Sequence, residues 1–272
     1  MRVYIAVDLE GISGVVHEWE TDPTARGYGR ARAAMQADLL AALEGCRAAG
    51  AGEVVVCDAH NDGGNLDPDG LPENVTLVAG SPTPDSMMHG IEPGFDASLY
   101  VGYHARAGTA AAVLEHTWTY RVFDVSVGGV ELGEFGLGAM LAGYYGVPAV
   151  YVSGDDKLAA EARALVPGVT ATVVKRGIMR TSASLIPPQE ARARIRADVE
   201  TALRAAATVE PLRWSGDPML LTFTRVPFCD AASASPRTRR RDGRTLEIAG
   251  DDFAEVYRGF LACIDLAYTV AP

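Results

Sequence analysis

The chain has few cysteines and no long hydrophobic run, and both shortages exclude whole classes of protein. Only 4 of its 272 residues are cysteine, without any C-x-x-C spacing, so neither a zinc knuckle nor a disulfide framework is predicted. No apolar run approaches the roughly 20 residues that a bilayer-spanning helix needs. The N-terminal apolar run breaks at Asp8, before the core of a signal peptide could form. We therefore expect reduced core thiols, no membrane partner and a cytoplasmic location.

Positive charge is also scarce. The chain has 24 Lys and Arg residues against 35 Asp and Glu, for a net charge of −11, which argues against nucleic acid and other phosphate-rich partners. The exception is the run 237–244, which contains five arginines. Its pair Asp242-Gly243 is a hairpin-turn signal. This run is therefore predicted to be an exposed edge hairpin whose charge discourages pairing with another chain.

Several motifs of phosphate binding and catalysis are absent. There is no Walker A motif, and residues 133–138 (GEFGLG) lack the G-x-G-x-x-G spacing and do not follow a convincing first strand. A nucleotide-dependent enzyme is therefore not expected. No G-x-S-x-G motif occurs either, which argues against a serine hydrolase.

The chain does contain short apolar runs that end in acids or histidines. Four of them, residues 3–7, 53–57, 98–103 and 149–153, are typical of strands that are buried on both faces of a sheet. Apolar residues at three- and four-residue spacing over 35–46 predict a crossover helix. We therefore predict an α/β fold: a mostly parallel sheet with flanking helices in three layers, joined to a smaller α+β domain.

The polar residues at the strand ends are the candidates for catalysis and metal binding. They are Asp8, Glu10, Asp58, His60, His104, His116 and Glu134. Mixed histidine and carboxylate ligands suit zinc and related divalent ions, whereas all-oxygen sites suit magnesium or calcium. Each residue alone has an ordinary alternative, since an Asp-x-Glu pair can be a solvated strand end and an acid at a helix start favours the macrodipole without any metal. Two metals become plausible only if the residues converge.

Acids and histidines become rarer after about residue 160, and this change sets the predicted domain boundary. Residues 1–160 are predicted to form the α/β metal-binding catalytic domain, and residues 161–272 a smaller α+β domain. The other predicted elements are a strand hairpin of 111–119 with 121–127, helices over 134–145, 189–207 and 252–268, and strands over 169–174 and 218–224.

Five short motifs agree in order and spacing with those of a known family. They are residues 7–14 (VDLEGISG), 58–61 (DAHN), 102–106 (GYHAR), 133–137 (GEFGL) and 152–156 (VSGDD). In these motifs the chain resembles the zinc-dependent D-aminopeptidases, a bacterial family first named for dipeptide transport. The similarity extends more loosely through the C-terminal helix, so it covers essentially the whole chain.

The resemblance implies a metallo-aminopeptidase that releases an N-terminal D-amino acid, typically D-alanine, from short peptides by means of a water that bridges two zinc ions. The implied zinc ligands are Asp8, Glu10, His60, His104 and Glu134. Asp8 would bridge, with Glu10 and His104 on one ion and His60 and Glu134 on the other. The family's catalytic histidine falls on His116. The resemblance also implies a homo-oligomer, for which the family's ring-shaped decamer is one candidate.

Other interpretations stay open at this point. On spacing alone, His116 could equally be a buried histidine satisfied by a backbone group. Asp58 and Asp155 could hold the histidine rings or could simply cap a neighbouring helix. The chain could also be a related metallohydrolase acting on another amide, a lactone or an L-peptide. A non-catalytic peptide-binding protein is the remaining alternative, although such a receptor would ordinarily be exported.

Overall fold

A computed structural model describes residues 1–271. Its strands are β1 (Arg2–Val7), β2 (Glu53–Asp58), β3 (Val75–Val78), β4 (Ala97–Val101), β5 (Val122–Val127), β6 (Val130–Glu131), β7 (Ala149–Asp155), β8 (Thr170–Met179), β9 (Ser182–Leu185), β10 (Met219–Phe223), β11 (Thr238–Arg240) and β12 (Thr245–Ile248). Its α-helices are α1 (Glu18–Thr21), α2 (Tyr28–Ala48), α3 (Glu134–Tyr144), α4 (Asp156–Leu165), α5 (Pro188–Arg204), α6 (Val226–Ala232) and α7 (Phe253–Tyr268). The predicted helices and strands are present, except for one strand described below.

The larger sheet has seven strands in the order β3-β2-β1-β4-β7-β8-β9. The first six are parallel to one another, and only β9 is antiparallel to its neighbour. The central strands β1, β4 and β7 are buried along nearly their whole length. Their β-branched and aliphatic sequences fit this position, because a parallel sheet is covered on both faces. The predicted α/β fold is confirmed.

Helices cover the two faces of this sheet because the connections run in both directions from its centre. The step from β1 through α2 to β2 goes one way, and the steps through α3 to β7 and through α4 to β8 go the other way. Since such crossovers are right-handed, α2 lies on one face and α3 and α4 on the other. Helix α5 packs on α2. The direction of connection reverses between β1 and β4, which is where open α/β sheets bind ligands.

A second, antiparallel sheet of five strands has the order β11-β12-β10-β5-β6. Helices α6 and α7 pack against each other and on this sheet. The arginine-rich run forms the predicted edge hairpin, since β11 is the outermost strand and pairs with β12. Acids on neighbouring segments pair with its arginines, as Asp230 does with Arg240 and Glu247 with Arg241.

The two sheets do not divide the chain at residue 160. Strands β8 and β9 follow that residue but belong to the larger sheet, and β5 and β6 precede it but belong to the smaller one. The predicted domains, residues 1–160 and 161–272, remain a prediction about independently folding units.

The predicted strand over 111–119 is wrong. The structure has turns and irregular backbone there, and β5 pairs instead with β6 and β10. Ala111, Leu114 and Trp118 have positive φ angles of 58°, 53° and 67°, a left-handed conformation that interrupts an extended strand. The apolar residues of this segment are buried because the loop packs into the core, and this burial produced the strand-like pattern.

The four cysteines are free and buried, as expected of core thiols. Within residues 1–271, no helix combines the length and the apolar character needed to cross a membrane.

Candidate metal centre

The carboxyl ends of the central strands bring the predicted metal ligands together. Asp8 follows β1, His60 follows β2 and His104 follows β4, while Glu134 is the first residue of α3. These residues and Glu10 are each at most 5% exposed. Parallel strands end at the same edge of the sheet, so sequence-distant polar residues meet there.

The backbones of three strand ends approach one another unusually closely at this edge. A Cβ atom on Gly11 would lie 1.8 Å from the carbonyl oxygen of Tyr103, and one on Gly154 would lie 2.2 Å from the same oxygen. Glycine is therefore required at both positions, because any side chain would push the strand ends apart. These contacts hold Asp8 and His104 at a fixed separation.

We expect Gly154→Ala to lower the free energy of unfolding by about 1–3 kcal/mol, as overpacking of a core does, and to weaken metal binding. The matched control is Gly29→Ala on α2, where a Cβ meets open space. That change should be neutral or stabilise by up to about 1 kcal/mol, because alanine favours helix over glycine. Thermal melts and metal titrations of both variants test this, and equal melting temperatures would contradict the close-approach argument.

Asp8 stands at the centre of the cluster. Its Oδ1 lies 3.2 Å from Nδ1 of His60, and its Oδ2 lies 3.4 Å from Nε2 of His104. The two oxygens of one carboxylate thus face two different imidazoles. Glu10 Oε2 lies 3.1 Å from His60 Nδ1, and Glu134 Oε1 lies 3.3 Å from His104 Nε2. This arrangement suits a carboxylate that is shared between two cations.

One ring nitrogen of each imidazole lies within hydrogen-bond distance of a backbone carbonyl. Nε2 of His60 lies 2.9 Å from the oxygen of Thr21, and Nδ1 of His104 lies 3.0 Å from that of Ala105. Since a carbonyl only accepts hydrogen bonds, the other nitrogen of each neutral ring presents a lone pair to the cluster. Backbone carbonyls therefore orient the rings, as is usual for metal-binding histidines.

Neither Asp58 nor Asp155 holds a histidine ring. Asp58 accepts hydrogen bonds from the backbone N–H groups of Asn65 and Leu66, so it fixes a loop. Asp155 accepts from the N–H groups at the start of α4 and from Val113. The alternative that these acids cap a neighbouring helix is therefore correct for Asp155, at the start of α4, and wrong for Asp58, which binds a loop instead.

Three buried polar atoms of the cluster make no hydrogen bond of good geometry among residues 1–271, although each lies 3.1–3.4 Å from another polar atom of the cluster. They are Oδ2 of Asp8, Oε2 of Glu10 and Nε2 of His104. Burying such groups unpaired is costly, and in proteins they are paired or bind metals. Their chemistry, carboxylate oxygen and imidazole nitrogen, is the donor set that zinc prefers. The residues present therefore fit a zinc site.

The electrostatics of the cluster also favour a cation. Burial and the neighbouring Glu10 raise the pKa of Asp8 to about 7. Burial lowers the pKa of His104, but the carboxylates of Glu134 and Asp8 outweigh it and raise that pKa to about 10. Protons thus neutralise the excess negative charge, and a divalent cation would replace them on binding.

The short contacts group the residues differently from the partition that the resemblance implied. Glu134 lies against His104 and not against His60, whose Nδ1 faces Asp8 and Glu10. Ligand atoms of Asp8, Glu10 and His104 do lie within 4.8 Å of one another, as that partition requires for one ion. The nearest neighbours nevertheless pair Glu10 with His60 and Glu134 with His104.

His116 lies beside this cluster, on the irregular loop in place of the predicted strand. Its ring stacks on that of His104 at a centroid distance of 4.0 Å, and its Nε2 lies 3.7 Å from Glu134 Oε1. Nδ1 donates to the carbonyl of Leu114 at 2.9 Å, so Nε2 of the neutral ring is free to accept a proton. Burial and the His104 ring lower the pKa of His116, which favours this neutral form.

The cluster opens into a cavity of 420 Å³. Asp8, Glu10, His60, His116 and Glu134 form its floor and wall, and residues of α7 line it as well. This volume is within the usual range of small-molecule sites, about 300–1,000 Å³. The site can therefore admit a small substrate to the polar atoms at its base.

The fold and the site together define the chain as a metallohydrolase: a buried carboxylate and imidazole cluster at the switch point of an α/β sheet, open to a substrate-sized cavity. More specifically, the chain belongs to the M55 peptidase family, described as D-aminopeptidase, whose sequence model matches residues 1–262. The chain is thus a metallo-aminopeptidase, which excludes the alternative of a non-catalytic binding protein.

Two similar proteins support this membership. A D-aminopeptidase of Bacillus subtilis (strain 168) is 33% identical over 269 residues, which is 98% of each chain. A solved structure, described as the Zn-dependent D-aminopeptidase DppA from Bacillus subtilis, a self-compartmentalizing protease, superposes with a TM-score of 0.96. It is 32% identical and is covered in full, as is the present chain.

Proposed function

We propose that the protein removes an N-terminal D-amino acid, typically D-alanine, from short peptides at a two-zinc site. The observation that carries the proposal is the position of Asp8, whose two oxygens face two separate imidazoles, surrounded by buried polar atoms that make no hydrogen bond of good geometry. The similar B. subtilis protein is zinc-dependent, and the donor set here suits the same metal.

Five protein ligands favour two ions over one. A catalytic zinc ordinarily has three protein ligands and one open position, so five ligands exceed what a single ion accepts. With Asp8 shared, Glu10, His60, His104 and Glu134 would supply the remaining ligands, two for each ion. Each ion would then have three protein ligands and room for substrate. When bound, zinc would polarise the peptide carbonyl as a Lewis acid and lower the pKa of the attacking water.

His116 would transfer protons in this reaction as a general acid or base. Its Nε2 faces the cluster while Nδ1 is held by Leu114, so the ring could take a proton from the attacking water or pass one to the leaving amine. A protonated ring would instead stabilise the developing oxyanion. In each case the loop that carries His116 fixes the ring against His104.

We also propose that the protein is a homo-oligomer. The similar structure is described as self-compartmentalizing, which requires several copies around an enclosed space. The hairpin of β8 and β9 exposes Ile178, Met179 and Leu185, and exposed apolar side chains of this kind suit contacts between copies. The number of subunits and the cytoplasmic location remain predictions.

The stereochemical preference is tested with zinc-loaded protein, D-Ala-D-Ala and L-Ala-L-Ala, by following the release of free amine. We expect faster cleavage of the D-peptide, because the chain belongs to the D-aminopeptidases. Equal or faster cleavage of the L-peptide would instead favour a related metallohydrolase that acts on L-peptides or other amides. Protein stripped with a chelator is the control and should release amine from neither.

A further inference from the structure

Lys175 on β8 is fully buried, with 0% exposure, and binds the backbone that follows β1. Its ammonium has three donors, and all three reach backbone carbonyls of the segment that carries two metal ligands. The distances from Nζ are 2.5 Å to Glu10 O, 3.0 Å to Ile12 O and 2.6 Å to Val15 O. No carboxylate within residues 1–271 forms a salt bridge with it.

We infer that Lys175 is a positioning residue that sets the affinity of the site for its cations by holding residues 8–15, here called the ligand segment. This inference rests on the proposed metal site. It concerns a residue that touches neither metal nor substrate and acts through the backbone of Glu10.

The ligand segment needs such support because it is neither helix nor strand. Its internal hydrogen bonds are turn-like, such as Ile12 N–H to Leu9 O and Val15 N–H to Ile12 O, both at 3.2 Å. Carbonyls in an irregular buried loop require partners. One ammonium satisfies three of them, and the orientation of the Glu10 carbonyl also constrains the direction of the Glu10 side chain.

A carboxylate holds the same segment from the α2 side. Asp38, 1% exposed, accepts hydrogen bonds from the Ser13 backbone N–H at 2.9 Å and from the Ser13 hydroxyl at 2.7 Å. It also accepts from Nε of Arg192 at 3.0 Å. The ligand segment therefore lies between two buried charges of opposite sign, one binding its carbonyls and the other its N–H group.

A positioning role of Lys175 can be distinguished from a direct electrostatic effect of its charge on zinc. A buried cation close to the carboxylates should by itself repel zinc, so its removal should strengthen metal binding. Loss of positioning should weaken it, because partners of the metal ligands typically contribute about 10–100-fold to metal affinity. The sign of the change in affinity therefore distinguishes the two effects.

The test is zinc affinity of the full-length protein, measured by chelator competition without any peptide. We expect Lys175→Met to weaken zinc binding by about 10–100-fold, and kcat to recover when zinc is raised, with KM for the peptide little changed. The matched control is Arg204→Met on α5, which removes a basic side chain that binds Glu200 and the carbonyl of Ala48 and contacts neither the ligand segment nor Asp38. It should leave zinc affinity unchanged, well below the effect expected for a partner of a metal ligand.

Unchanged or tighter zinc binding by Lys175→Met would overturn the inference and leave Lys175 a structural residue. Should this variant not fold, Lys175→Gln retains a polar donor and should give a smaller loss of affinity, and wild-type affinity in it would equally overturn the inference. An absence of zinc binding by the wild-type protein would instead overturn the proposed metal site, and the inference with it.

Discussion

Replacing Asp8 with alanine should deprive the protein of both metal ions and reduce peptide hydrolysis to the level of the chelator-stripped enzyme. Asp8 is the carboxylate whose two oxygens face His60 and His104, so its loss removes a ligand from each half of the site. The remaining acids and imidazoles would then supply only two ligands for each ion. We expect metal affinity to fall by more than the roughly 10–100-fold that is typical for partners outside the ligand shell.

Elemental analysis of purified Asp8→Ala, with and without added zinc, measures this effect. The matched control is Asp69→Ala, which removes an exposed acid that does not line the cavity and should leave metal content and activity unchanged. A crystal structure with added zinc should show ions beside Asp8 in the wild-type protein. Metal content near that of the wild type in Asp8→Ala would refute its assignment as the shared ligand.

Replacing His116 with alanine should lower kcat by about 10²–10⁴-fold, the usual contribution of a general acid or base, while zinc content and fold persist. The reason is geometric. Nδ1 of His116 donates a hydrogen bond to the Leu114 carbonyl, and Nε2 faces the cavity beside Glu134. The proposed assignment already gives each ion three protein ligands, and a further ligand would occupy a position that the peptide carbonyl needs.

Steady-state kinetics and zinc analysis on the same sample separate the possible roles of His116. Loss of zinc in His116→Ala would make it a ligand, an outcome to be checked because His116, His104 and Glu134 offer atoms within 4.8 Å of one another. Near-normal turnover would show that it takes no part in catalysis. The exposed His17 provides the matched control, and His17→Ala should retain the kcat of the wild type.

Much of the larger sheet was predictable because its strands are short, aliphatic and bounded by polar residues. Residues 3–7 and 149–153 are so apolar that no solvent-facing position suits them, and the structure places both at the centre of the sheet. The helix over 35–46 shows the three- and four-residue spacing of a buried face. In these segments the local pattern and the tertiary environment agree, so a single sequence is sufficient to predict the secondary structure.

The loop around His116 was not predictable in this way. Its apolar residues are buried by packing between segments that are distant in the chain: the Val113 N–H donates to Asp155, and the Leu114 N–H donates to the carbonyl of Arg180. Burial without a regular backbone gives the same local pattern as a strand. The left-handed residues that break the strand are alanine, leucine and tryptophan, none of which signals a positive φ.

The chemistry that the protein could offer can be read from its residues alone: acids and histidines after buried strands, a spacing shared with a family, and no motif for phosphate or a nucleophilic serine. How those groups are paired and held depends on the three-dimensional arrangement of the strands. Asp8 faces two imidazoles because β1 lies between β2 and β4, and Lys175 reaches Glu10 across 165 positions of the chain. Such contacts depend on strand order and on the direction of backbone carbonyls, and neither quantity is encoded in local pattern.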